Sequence, residues 1–313
     1  MSKLYPVGVQ NFEKVILDGY EYVDKTALIY ELFNTGSYYF LSRPRRFGKS
    51  LLLSTLEAYA QGKKELFKGL ALEKLEKDWT VYPVLHLDLN TQKYDSPESL
   101  TSILNDNLCN WESRYGARES ETSLSLRFQG LIRRACEQTG RRVVILIDEY
   151  DKPMLQAIGN EALQNEYRST LKAFYGALKS MDGCIRFALL TGVTKFGKVS
   201  VFSDLNNLRD ISMIDQYAEI CGISEKEVHA YFEEDIHALA TATGMTYEKA
   251  CAELKANYDG YHFTENAVGM YNPFSLLNTF ANRRFGSYWF ETGTPTYLVE
   301  LLKLHHYPIE DLE

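Results

Sequence analysis

The sequence has few cysteines and no long apolar run. Its five cysteines are scattered, and no two have Cys-x-x-Cys spacing, which argues against a disulfide framework and against the common zinc motifs. No apolar stretch approaches the length of a membrane span, and the N-terminus has no apolar secretory segment. We therefore expect a cytoplasmic protein with no membrane partner.

Positive charge is also in short supply. The chain has 34 Lys and Arg against 42 Asp and Glu, a net charge of −8. This balance argues against a protein that coats nucleic acid broadly, although it leaves room for a local basic patch. With 313 residues, 45% of them hydrophobic, the chain can bury a large core. The length suits one large domain and a smaller one.

Short apolar runs alternate with helical patterns along the first two thirds of the chain. Nearly continuous aliphatic runs of this kind are typical of parallel strands that are covered on both faces. We predict strands at 38–41, 84–87, 143–147 and 185–190. We predict helices between them at 50–61, 97–115, 122–139 and 160–181. This alternation indicates an open α/β sheet. After about residue 214 the strand pattern fades, and a mainly helical segment is expected.

The first sharp motif lies between the predicted strand 38–41 and the helix that follows it. It combines a Gly-Lys-Ser triplet with the strand, loop and helix order that a phosphate-binding P-loop (Walker A) requires. Backbone N–H groups at such a turn cradle phosphate oxygens; Lys49 would reach the β- and γ-phosphates, and the Ser50 hydroxyl would bind Mg²⁺. The candidate nucleotide-binding residues are Arg43, Pro44, Arg45, Arg46, Phe47, Gly48, Lys49, Ser50 and Leu51.

This loop departs from the usual motif at its first position. Arg43 stands where glycine is common, and Pro44 removes one backbone N–H donor. We hypothesise that at least one of Arg43, Arg45 and Arg46 contributes a guanidinium to bound phosphate or to a partner. The alternative is an ordinary basic turn.

A second motif follows the third predicted strand. The run 143–147 leads into Asp148 and Glu149, the Walker B pattern. Asp148 would bind Mg²⁺, and Glu149 would orient or deprotonate the attacking water. Thr191 and Thr194, after the fourth strand, are candidates for contact with the γ-phosphate or the water; a simple strand-ending turn explains them equally well. Glu149, Lys49, Thr191 and Thr194 are thus the catalytic candidates.

Several segments carry a family resemblance. They are Tyr22-Val23-Asp24-Lys25-Thr26, the arginine-rich loop 40–50, Leu146-Ile147-Asp148-Glu149-Tyr150-Asp151-Lys152-Pro153, Thr191-Gly192-Val193-Thr194-Lys195-Phe196, Asn257-Tyr258-Asp259-Gly260-Tyr261, and Tyr271-Asn272-Pro273-Phe274-Ser275-Leu276-Leu277-Asn278. The chain resembles the bacterial AAA-ATPase-like family, in which a missing first glycine is normal. The resemblance implies an α/β P-loop NTPase fold of the ASCE/AAA-like type, a three-layer sandwich with a central parallel sheet, followed by a smaller helical lid. It also implies that ATP and Mg²⁺ are the ligands.

The expected domains are therefore a P-loop ATPase-like α/β domain over 1–216 and a mainly helical lid over 217–313. Family members commonly continue into a nuclease-like domain, and the given sequence ends at Glu313 before one could fit, so we assign no nuclease activity. The expected function is Mg²⁺-dependent ATP hydrolysis coupled to a lid, a protein partner or an oligomer. The alternatives are a nucleotide-dependent switch or scaffold with little hydrolysis, and a DNA-associated regulator of a nuclease-like partner. The net charge does not support the DNA-associated role.

Overall fold

The computed structural model describes residues 3–195, 207–266 and 268–289. These residues form two compact units. The first unit contains 3–36, 43–80 and 210–289, and the second contains 37–42, 81–195 and 207–209. The predicted phosphate-binding loop belongs to the first unit, and Asp148 belongs to the second. The division into domains 1–216 and 217–313 stays a prediction, and residues 290–313 lie outside the described part of the chain.

The sheet of the second unit has the parallel strands that the apolar runs predict. These strands are β1 (Tyr38–Ser42), β2 (Val84–Asp88), β3 (Val143–Asp148) and β4 (Ile185–Gly192). The order is β2-β3-β4-β1, and β5 (Arg209–Asp210) follows β1 at the edge. The pairs β1–β4, β2–β3 and β3–β4 are parallel. This five-stranded sheet confirms the predicted α/β P-loop NTPase-like fold, with β4 as the central strand between β1 and β3.

Each of these strands runs one or two residues beyond its apolar core. As a result β2 ends in Asp88, β3 in Asp148 and β4 in Thr191 and Gly192. In the register of the sheet, Asp88 lies opposite Asp148, and Leu41 lies opposite Thr191. Since the strands are parallel, their carboxyl ends meet at one edge, where ligands bind in open α/β sheets.

The four helices predicted between the strands occur close to their predicted positions, and further helices are present. In chain order the α-helices are α1 (Phe12–Leu17), α2 (Thr26–Thr35), α3 (Lys49–Ala60), α4 (Ala71–Leu75), α5 (Pro97–Tyr115), α6 (Leu124–Thr139), α7 (Lys152–Gln156), α8 (Glu161–Ser180), α9 (Glu225–Thr243), α10 (Tyr247–Tyr258) and α11 (Pro273–Asn282). Gly140 ends α6 with φ 63°, the left-handed cap expected of glycine. Helices α5, α6 and α8 cover the sheet of the second unit and share its core with residues such as Phe128 and Phe174.

The first unit contains a feature that the sequence pattern does not reveal. Three very short strands, β6 (Ile223–Ser224), β7 (Asp259–Tyr261) and β8 (Met270–Tyr271), form an antiparallel sheet in the order β6-β8-β7. They join α9, α10 and α11, whose apolar faces share one core that includes Phe232, Leu254 and Phe280. The segment after residue 214 is therefore mainly helical, as expected, but it also contains a small sheet.

The Asp24 carboxylate organises the N-terminal part of the first unit. Its Oδ1 accepts hydrogen bonds from the N–H of Thr26 at 2.8 Å and from the Thr26 hydroxyl at 2.6 Å, while its Oδ2 accepts from the N–H of Ala71 at 2.7 Å. The start of α2 and the start of α4 are thus held by one carboxylate. Within the described residues, no helix combines the length and apolar character that a membrane crossing requires.

Candidate functional site

The loop between β1 and α3 has the backbone of a tight, glycine-dependent turn. Gly48 has φ 92°, and no atom lies within 4 Å of the position that a Cβ there would occupy. Arg46 also adopts a left-handed conformation, with φ 65°. Helix α3 begins at Lys49 directly after this turn, and its N-terminal N–H groups have no intrahelical acceptors. The sequence therefore builds a turn that presents N–H donors and the positive helix end to an anion.

The Lys49 ammonium lies over the carbonyl groups of its own loop. Its Nζ is 3.2 Å from the carbonyl oxygen of Arg43 and 3.3 Å from that of Pro44, and the residue is only 4% exposed. The side chain is therefore almost completely buried, and its ammonium is held against the backbone of the loop. Ser50 follows in the first turn of α3 and is half-buried.

Arg43 is the most buried of the three loop arginines, with 1% of its surface exposed. Its guanidinium donates to the carbonyl of Ser212 at 2.8 Å and to that of Tyr217 at 3.2 Å, and it stacks 3.8 Å from the ring centre of Phe263. Burial lowers the pKa of this guanidinium from its ordinary value. Arg43 thus ties the loop to residues 212–218 of the same unit, a role that the sequence analysis did not anticipate.

The next loop residues also contact the C-terminal part of their unit. The Arg46 guanidinium lies 4.0 Å from the ring centre of Phe274, while Arg45 is exposed. The Phe47 ring packs edge-on against Tyr261, with 4.6 Å between the ring centres, and the Phe47 carbonyl accepts the N–H of Gly222 at 3.1 Å. Aromatic residues after residue 258 therefore contact Arg43, Arg46 and Phe47 of the phosphate loop. The hypothesis that one of the three arginines binds phosphate stays a prediction.

An apolar pocket opens beside this loop within the first unit. It encloses about 90 Å³, several times what a single water needs. Its lining comes from the N-terminal segment, the loop and start of α3, residues 220–223 and the start of α11. The residues that line the pocket include Tyr22, Val23, Lys25, Leu51 and Cys221.

The second unit holds a buried carboxylate at the end of β3. Asp148 is 3% exposed, and its Oδ1 accepts the hydroxyl of Thr191 at 2.5 Å and the N–H of Glu149 at 3.0 Å. Thr191 comes from β4, the strand that pairs with β3 in parallel. The structure therefore brings two of the predicted site residues into direct contact. The hydrogen bond fixes the orientation of one oxygen of the Asp148 carboxylate.

Glu149 adopts a backbone conformation that is rare for its residue type. Its φ is 52°, in the left-handed region that few non-glycine residues occupy. Residues held in this region are concentrated at active sites, where the surrounding structure offsets the strain. The side chain is half-buried directly after Asp148.

A third carboxylate at this edge was missed by the sequence analysis. Asp88 ends β2 and lies opposite Asp148 in the parallel register. Burial, followed by the negative charge of Asp148, raises the pKa of Asp88, although the N–H of Asn90 hydrogen-bonds to its carboxylate at 2.7 Å. An acid that directly follows the apolar run 84–87 is the same signal that identified Asp148. Two adjacent strands therefore place carboxylates at the ligand-binding edge.

Asp151 fixes the turn that follows β4. This residue is 1% exposed, and its Oδ2 accepts the N–H of Val193 at 3.1 Å and both the N–H and the hydroxyl of Thr194, at 2.7 and 2.8 Å. The Tyr150 hydroxyl donates to the Thr194 carbonyl at 2.8 Å. The two threonine candidates thus have different surroundings: Thr191 contacts Asp148, and Thr194 is bound by Asp151.

Gly192 is required for this packing. A Cβ at this position would lie 2.5 Å from Cε1 of Tyr150 and 2.7 Å from Oδ1 of Asp151. The close approach lets the segment after Glu149 pack directly against the end of β4. Phe196, the last residue of the motif that begins at Thr191, lies outside the described residues.

Comparison with known proteins identifies the family. Residues 6–202 match the AAA-ATPase-like family, described as Predicted AAA-ATPase, so the chain belongs to that family. The chain is also 42% identical over 302 residues to a protein of Azotobacter chroococcum mcd 1 described as "Uncharacterized protein in vnfD 5'region". That match covers 96% of the chain but 56% of the relative's length.

Proposed function

We propose that the protein is a Mg²⁺-dependent ATPase that binds the triphosphate at the loop 43–50 and hydrolyses it with residues at the carboxyl edge of the sheet. The observation that carries this proposal is the buried contact between Asp148 and Thr191 on adjacent parallel strands. Strand β1 is parallel to β4 and leads directly into the loop, since Arg43 follows Ser42 in the chain. Chain connectivity therefore supports one site that uses both motifs.

The residues around the turn suit a triphosphate. The N–H groups at the start of α3 would donate to phosphate oxygens, and Lys49 would exchange its loop carbonyls for the β- and γ-phosphates. The open space beside Gly48 would let phosphate approach the main chain closely. Of the three loop arginines, Arg45 is the exposed one and is the first candidate to reach a phosphate.

The donor set also fits magnesium. Within the described residues, no group of three or more His, Cys, Asp or Glu side chains could hold a metal ion. This agrees with the way Mg²⁺ is usually held, by one or two protein oxygens together with waters and substrate phosphates. Ser50 and Asp148 would provide those protein oxygens. When bound, Mg²⁺ would neutralise part of the phosphate charge that develops during hydrolysis.

Glu149 would act on the attacking water, whereas Thr191 would act through Asp148. The Glu149 carboxylate would accept a proton from the water as it attacks the γ-phosphorus in line with the leaving ADP oxygen. Thr191 would hold the Asp148 carboxylate in its orientation through the hydrogen bond between them. The contacts of Arg46 with Phe274 and of Phe47 with Tyr261 support coupling of the nucleotide state to the C-terminal part of the first unit.

A nucleotide-dependent switch with little hydrolysis is the second candidate. The contacts of Arg46 with Phe274 and of Phe47 with Tyr261 favour it as well. Single-turnover hydrolysis separates the two functions. We expect Lys49→Ala to lose ATP binding, whereas Glu149→Gln should bind ATP and lose hydrolysis. Lys64→Ala and Glu119→Gln, at exposed positions, are the matched controls. If the parent protein binds ATP but releases no phosphate in a single turnover, the switch is favoured. If the parent and Glu149→Gln hydrolyse ATP equally fast, Glu149 has no part in the mechanism.

A further inference from the structure

The proposed chemistry of the phosphates does not use the apolar pocket beside the loop. Its walls are apolar or aromatic over most of their extent, and they include Pro6, Val23, Leu51, Ile220 and Ile223. A surface of this kind suits a flat, uncharged ring and does not suit a phosphate group.

The charged members of the lining are engaged elsewhere. Lys25 holds its ammonium 2.6 Å from both carboxylate oxygens of Glu227, and Glu21 lies 3.5 Å from the ammonium of Lys3. Because these charges are paired with neighbouring side chains, the pocket offers an incoming ligand mainly apolar contact.

We propose that this pocket binds the purine base of the nucleotide, and that base binding links the nucleotide to the C-terminal part of the first unit. The inference rests on the proposed function for the phosphates. Position supports it, since Gly48 and Leu51 line the pocket and also belong to the turn and to the first turn of α3. A ligand whose phosphates occupy the turn can therefore extend its base into the pocket without leaving the unit.

One wall of the pocket would connect a bound base to the C-terminal part of the first unit. Residues 220–223 form it, and Gly222 donates its N–H to the Phe47 carbonyl at 3.1 Å. Gly222 has φ 92°, and a Cβ there would lie 2.9 Å from Cε1 of Phe47, so this wall is fitted closely to the loop. Helix α9 begins at Glu225, two residues after the end of this wall. A base in the pocket would thus contact both the loop and the segment that leads into α9.

The inference is tested by comparing ATP with inorganic tripolyphosphate, each with Mg²⁺, by calorimetry. Cys221→Phe and Val23→Phe place a ring in the pocket from two different walls, and Cys109→Phe places one at an exposed position in α5 as the control. We expect ATP affinity to fall at least about tenfold in the two pocket variants, while tripolyphosphate affinity changes less than about twofold. Parent-like ATP affinity in both pocket variants would overturn the base site.

Hydrogen exchange on the parent protein gives a readout that does not depend on the folding of a variant. A non-hydrolysable ATP analogue should slow exchange at residues 220–223, and tripolyphosphate should not. Equal protection by the two ligands would overturn the inference while leaving the phosphate site intact. If the parent binds neither ligand, the proposed function itself fails, and this inference fails with it.

Discussion

The Thr191 hydroxyl donates a 2.5 Å hydrogen bond to the Asp148 carboxylate across the neighbouring strands β4 and β3. Both residues are almost fully buried, at 0% and 3% exposure. A hydrogen bond between two side chains this deeply buried fixes the orientation of the Asp148 carboxylate.

Replacing Thr191 by Val removes the hydroxyl at nearly constant volume. A hydrogen bond to a charged group contributes about 1.5–3 kcal/mol, so we expect single-turnover hydrolysis to fall about 10- to 100-fold. ATP affinity should change little, because Thr191 is not among the residues proposed to hold the phosphates. Thr191→Ser keeps the hydroxyl and should retain most of the activity. If Thr191→Val hydrolyses ATP as fast as Thr191→Ser, this hydrogen bond has no role in hydrolysis.

Asp151→Asn tests the turn after β4. The substitution keeps the shape and removes the charge that three donors share, so the free energy of unfolding should fall by about 2 kcal/mol. Urea unfolding measures this loss, with Asp78→Asn at an exposed position as the control. Equal unfolding midpoints for the two variants would mean that the Asp151 contacts contribute nothing to stability.

We expect substitutions of the three loop arginines to differ in their effects on stability and on ATP binding. Arg43→Met leaves the carbonyls of Ser212 and Tyr217 without their buried donor, and we expect it to lower the unfolding free energy by about 2–4 kcal/mol. Arg46→Ala removes a partly exposed cation–π contact, expected to contribute about 0.5–1 kcal/mol.

Arg45→Ala should leave stability unchanged, because the side chain is exposed. If Arg45 contacts phosphate, the same variant should bind ATP more weakly than the parent. Thermal unfolding and ATP titration of the three single variants provide the comparison. A destabilisation by Arg45→Ala as large as that by Arg43→Met would contradict these assignments.

Much of the site could be predicted because its signals are local. The continuous apolar runs identify β1 to β4, and the acid after 143–147 and the Gly-Lys-Ser triplet identify Asp148 and Lys49. The partners of Arg43 could not be predicted, since the Ser212 carbonyl is 169 positions away and a carbonyl carries no sequence signal. The strands β6 and β8 were missed because two residues show no periodicity.

Asp88 should make stability depend on pH. Its raised pKa means that the folded protein binds this proton more tightly than the unfolded chain, whose aspartates have a pKa of about 3.9. An ionised Asp88 therefore lowers stability at neutral pH, and this penalty diminishes as pH falls through the folded-state pKa. Asp88→Asn should be more stable than the parent at pH 7, with a smaller gain at about pH 4. Urea unfolding at both values checks this, and an equal gain at the two would contradict the assignment.

The central claim is that Lys49 and the acids after β3 act on a single magnesium–triphosphate. The most direct measurement is an experimental structure of the Glu149→Gln variant with ATP and Mg²⁺. The account predicts one nucleotide whose γ-phosphate contacts the Lys49 ammonium and whose metal ion is held by Ser50 and Asp148. A triphosphate bound by the loop with Asp148 and residue 149 out of reach of its metal and phosphates would contradict the account.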